Sequence, residues 1–117
     1  MPIINKHFSR WLFVFLVSVA NAKADVITDW TKTAVAAGYR AKQTLVPFTR
    51  NVAMVQVAMF EAVNAITPRY KPDKLSLNPP AESSPEIAAA TAAHIILTQL
   101  YPDQANNFSA RYDEYIN

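Results

Sequence analysis

The chain contains no cysteine, which excludes disulfide cross-links and every thiol-based chemistry. It has a single glycine, Gly38, so glycine-rich phosphate-binding loops are excluded as well. Only two histidines are present, His7 and His94, and no group of His, Cys, Asp and Glu has the spacing of a metal site. Charged residues make up only 17% of the chain, which with 51% hydrophobic residues excludes a disordered or collagenous chain. What remains is a chain 51% hydrophobic and poor in helix-breaking glycine, the composition of an all-α protein. Its 117 residues allow one domain, which would bury about 65% of the surface its unfolded chain exposes.

Residues 1–24 read as a signal peptide. Lys6 and Arg10 precede the apolar run WLFVFLVSVA at 11–20, and the small-residue sites Ala20-Asn21-Ala22 and Ala22-Lys23-Ala24 follow, with cleavage expected after Ala24. The run is about half the length of a bilayer span and no second one follows. The expected product is exported, periplasmic or secreted, and keeps no stable membrane span; a retained leader would instead make a tethered interaction protein. Loss of the leader also removes Lys6, Arg10 and Lys23. Residues 25–117 then carry eight basic side chains against nine acidic ones, and the pI of 9.0 gives no support for a nucleic-acid partner.

About four helices are expected in residues 25–117. The first, from Asp25 to about Lys42, has the stripe Ile27, Trp30, Ala34, Ala37 and Ala41, with Gly38 weakening it by about 1 kcal/mol relative to alanine. Pro47 is expected to interrupt the chain and Thr49 to cap a second helix over about Arg50–Ile66. In that helix Asn51, Gln56, Glu61 and Asn64 point near 0, 140, 280 and 220 degrees at about 100 degrees per residue, so no polar face exists. Val52, Met54, Val55, Val57, Met59, Phe60, Val63 and Ile66 surround the axis, the pattern of a helix covered on every side. Residues 67–84 hold four of the eight prolines and form a long loop. Ser84-Pro85-Glu86 then starts a third helix that runs to about Tyr101. Its apolar stripe is Ala89, Ala93, Ile96, Leu97 and Leu100, while Thr91, His94 and Thr98 share another face. A last helix with Ala105, Phe108, Tyr112 and Tyr115 at helical spacing follows Pro102 and ends at Asn117.

The segments Asp25-Val26-Ile27-Thr28-Asp29-Trp30, Arg50 to Ile66, Pro68-Arg69-Tyr70, and Ser84-Pro85-Glu86 leading into Ala88-Ala89-Ala90-Thr91-Ala92-Ala93-His94 together carry a resemblance. They resemble the amino-terminal region of bacterial exported proteins of the vanadium-dependent haloperoxidase and type 2 phosphatidic acid phosphatase superfamily. The resemblance covers nearly all of residues 25–117. It implies an incomplete helical bundle, a scaffold that packs on the remainder of a catalytic bundle, with vanadate or phosphate bound only by a full-length relative.

The three motifs that carry that superfamily's chemistry are a lysine seven residues before Arg-Pro, a Ser-Gly-His turn, and Ser-Arg with a downstream histidine. None of them occurs in residues 25–117. Lys71, seven residues before Asn78-Pro79, imitates the first, but asparagine lacks the cationic planar fork that clamps an oxyanion. With Arg69 and Lys74 beside it, Lys71 reads as part of a solvated basic loop. His94 reads as a hydrogen-bonded surface or interface residue, and Met54, Met59 and Phe60 as packing. Glu61 and Asn64 are expected either to meet polar groups of an adjoining bundle or to face solvent. Asp113 and Glu114 are adjacent and diverge on a helix, so they form no catalytic pair. No catalytic, cofactor-binding or metal-ligating residue is therefore assigned, and no cofactor is expected in this chain. The alternative expectation is a free-standing periplasmic helical binding module that covers its second helix by forming a homo-oligomer or by packing on a partner.

Overall fold

The computed structural model describes residues 25–72 and 78–117. The leader assigned to residues 1–24, and Lys74 of the basic loop, lie outside the described residues. The described residues form four α-helices and no strand: α1 Val26–Arg40, α2 Leu45–Ile66, α3 Pro85–Leu100 and α4 Ala105–Ile116, with a 3₁₀ turn at Pro102–Gln104 before α4. The all-α expectation holds.

Successive helices run antiparallel. Gly38 near the end of α1 meets Phe48 at the start of α2. Tyr101, just beyond α3, bonds to Asn51 in the first half of α2, and Thr91 and His94 of α3 pair with Tyr112 and Ser109 of α4. The last helix closes back on the first through Tyr115 and Asp29. Helix α3 touches all three others and packs most extensively on α2. Alanines allow this: Ala34 and Ala37 of α1 and Ala89, Ala90 and Ala93 of α3 are buried, so backbones approach closely around Trp30, Val55, Met59, Leu97 and Phe108. Each of those five larger side chains contributes about 1.5–3 kcal/mol by leaving water.

Helix α3 begins as its sequence dictates. Ser84 accepts a hydrogen bond from the Ile87 amide at 3.3 Å, Pro85 occupies the first turn, and the Ser84 hydroxyl donates to Glu86 at 3.0 Å. Helix α2 begins differently from expectation. It starts at Leu45, with Thr44 at the N-cap position, and Pro47 lies inside its first turn. Proline at that point removes an amide that has no partner within the helix, so it is tolerated rather than disruptive. Thr49 is not a cap; its hydroxyl donates back to the carbonyls of Leu45 and Val46.

Gly38 also has a role beyond weakening α1. A Cβ there would lie 2.4 Å from Cδ2 of Phe48, so the missing side chain is the seat of that ring.

Candidate functional site

The opposite faces of α2 differ sharply in what covers them. Val55 and Met59 point into the core and are fully buried. On the other side, Val46 is 76% exposed, Val57 57%, Phe60 44% and Met54 39%. Complete coverage of α2, expected from its sequence, is therefore not met by the described residues: the helix has a broad apolar flank open to solvent. Val46, Arg50, Ala53, Val57 and Phe60 follow one another at alternating intervals of four and three, which keeps them on one side of the helix.

Among the described residues, three grooves adjoin the carboxyl-terminal end of α2, the smallest of them, about 250 Å³, beside Phe60, Val63 and Tyr70. Of the other two, the larger, about 680 Å³, runs between α2 and α3 and is lined chiefly by Ala62, Ala65, Ile66, Ile87, Ala88 and Ile95. Its walls are mostly small and apolar, so it offers shape and no charge-bearing chemistry along the helices. The smaller, about 460 Å³, lies under the loop and includes Glu61, Asn64, Pro68, Pro72 and Asn78. Asn78 lines both grooves, while Lys71 is an exposed residue and lines neither of them.

Asn64 follows neither sequence expectation. It is buried and clamps the chain's own loop: its carbonyl oxygen accepts the amides of Arg69 and Tyr70, each at 3.0 Å, and its amide donates to the Tyr70 carbonyl at 2.9 Å. Those three bonds stop the chain after α2 and turn it toward the proline-rich segment. Glu61, one turn earlier, is half-buried and has a polar partner.

The remaining polar side chains bind helices together. His94 stacks on Tyr112 with ring centroids 5.0 Å apart, and its Nε2 lies 3.2 Å from the Ser109 hydroxyl. Tyr112 and Thr91 share a 2.9 Å hydrogen bond. Among the described residues these contacts join α3 to α4. Tyr101 donates to Gln43 at 2.6 Å and accepts from Asn51 at 3.1 Å, and Gln104 donates to the Ala37 carbonyl at 3.1 Å. Tyr115 donates to Asp29 at 2.8 Å; burial first, then that bond and the Asp29 charge, push the phenol up to about 12. Among the described residues no group of three or more His, Asp or Glu is placed to hold a metal ion, and no helix is long and apolar enough to cross a membrane. Asp113 is exposed, and Glu114 pairs with Arg111 along the same helix at 3.1 Å.

Comparison with protein-family models, curated proteins and solved structures yields no match. The functional reading therefore rests on the chain's own residues, and among the described residues it starts from the exposed apolar flank of α2.

Proposed function

We propose that residues 25–117 are a helical scaffold whose α2 flank is covered by further helices, in the manner of the amino-terminal region of an exported vanadium-dependent haloperoxidase-like or phosphatase-like protein. The observation that carries this reading is the exposure of Val57, Phe60 and Met54 on one side of a helix whose other side is the core. An apolar patch of that kind is retained in soluble proteins where another surface meets it. In this reading the scaffold positions its partner and does no chemistry; the oxyanion site and the histidine chemistry belong to the covering bundle.

The test is dye binding paired with substitution. The chain is expected to bind an apolar-surface fluorophore, and Val57→Glu/Phe60→Glu to abolish most of that binding with helicity unchanged. A chain that binds no dye would remove the basis of the proposal. Halide oxidation with vanadate and peroxide, or phosphate-ester hydrolysis, by the purified chain would contradict the scaffold assignment.

A second reading is supported by the heptad interval along Val46, Arg50, Ala53, Val57 and Phe60. That spacing suits a copy of the same helix as well as a foreign one, and would make the chain a free-standing module covered by homo-oligomerisation.

A further inference from the structure

Among the described residues, the three most exposed large apolar side chains are not on the middle of α2. They are Tyr39 at 73%, Leu45 at 73% and Val46 at 76%, gathered where α1 turns into α2. Arg40, Lys42 and Arg50 are exposed around them. From Trp30 to Phe60 the chain contains these three cations and Lys32, and not one acidic residue. The acidic group on the neighbouring connection is Asp103, two residues beyond Tyr101.

The corner is rigid. Lys42 adopts a left-handed backbone with φ 53°, its amide bonds to the Tyr39 carbonyl at 3.0 Å, and the Gln43 amide bonds to the Gly38 carbonyl at 3.2 Å. Tyr39 rests on Phe48 with centroids 5.3 Å apart, and Phe48 in turn fills the space beside Gly38. The Gln43 side chain is held from below by Tyr101. A fixed turn thus presents an apolar tip with a cationic rim at one end of the bundle.

We propose that this corner is a docking surface for an anionic lipid bilayer. Leu45 and Val46 enter the headgroup–acyl boundary, Tyr39 lies at headgroup level, and Arg40, Lys42 and Arg50 meet lipid phosphates. Peripheral membrane binding needs a small apolar insertion plus a few cations, which Leu45, Val46 and Tyr39 supply together with Arg40, Lys42 and Arg50. The absence of acidic residues along 30–60 gives the charge complementarity. Val46 and Arg50 stand at the amino-terminal end of the same side of α2 that carries Val57 and Phe60; insertion is read by lipid quenching, which association between chains does not produce.

The chain's lack of cysteine makes a site-specific probe straightforward. A Val46→Cys chain carrying an environment-sensitive fluorophore is mixed with vesicles of phosphatidylglycerol and phosphatidylcholine that contain a nitroxide-labelled lipid. The fluorophore is expected to shift to the blue and be quenched on anionic vesicles. In the same labelled chain, Arg40→Gln/Lys42→Gln/Arg50→Gln is expected to weaken partitioning about a hundredfold. A label that stays unquenched on anionic vesicles, even if the chain binds them, would overturn the proposal. So would undiminished partitioning of the charge-removed variant.

Discussion

Phe48 occupies the space that a side chain at position 38 would need: its Cδ2 lies 2.4 Å from where a Cβ on Gly38 would be. The ring is also held from the other side by Tyr39. Gly38→Ala gains about 1 kcal/mol of helix propensity and forces the ring out of its seat at a cost of about 1–3 kcal/mol. Net destabilisation of roughly 1 kcal/mol is expected in urea unfolding, and Gly38→Ala/Phe48→Ala is expected to lose the clash contribution, giving non-additive values.

Asn64 ties the end of α2 to the loop through three hydrogen bonds. Asn64→Ala leaves the Arg69 and Tyr70 amides without that acceptor and is expected to cost about 1–3 kcal/mol. Hydrogen exchange should speed up at Arg69 and Tyr70 specifically. Asn64→Asp keeps the acceptor and loses the donor, and should protect those two amides better than alanine does.

Tyr115 gives a pH signature. Its phenol is raised to about 12 in the folded chain, against 10 for the ordinary group, because burial and the Asp29 carboxylate disfavour the phenolate. The folded state therefore holds the proton more tightly than the unfolded one, so this contribution to stability is complete below pH 10 and is lost as pH rises from 10 to 12. Ultraviolet titration should show a late phenolate that disappears in Tyr115→Phe, and the stability of that variant should vary less across the same window.

Ser84→Ala removes the acceptor for the Ile87 amide and the donor to Glu86. A loss of about 1 kcal/mol is expected. The Glu86 carboxyl is held below its ordinary range by hydrogen bonds from its own backbone amide and from Ser84. Its small stabilising contribution is therefore present above the ordinary carboxylate range and fades as pH falls through the lowered value.

These elements differ in how far their sequence betrays them. The start of α3 was legible because cap, proline and carboxylate act within one turn. The two helical stripes were mostly legible because periodicity alone places their residues on one face: Trp30, Ala34, Ala37, Ala89, Ala93 and Leu97 are buried and Ile27, Ile96 and Leu100 half-buried, while Ala41, just past the end of α1, is exposed. The start of α2 was not: Pro47 signals a break, but its position relative to Thr44 decides whether the lost amide matters. Asn64 and Gly38 were opaque for a different reason. Their partners, the Arg69 and Tyr70 amides and the Phe48 ring, are set by where the chain goes next and leave no periodic trace. The candidate surface was half legible, since the missing polar face of α2 was evident while the side left open was fixed only by the packing of α1 and α3.

Sedimentation velocity over a concentration series, comparing the chain with Val57→Glu/Phe60→Glu, tests the uncovered α2 flank most directly. The parent chain is expected to associate through that flank as concentration rises, and the variant to stay monomeric with the same helix content and a folding stability within about 0.5 kcal/mol. A parent chain that remains a stable monomer at every concentration, indistinguishable from the variant, would contradict it.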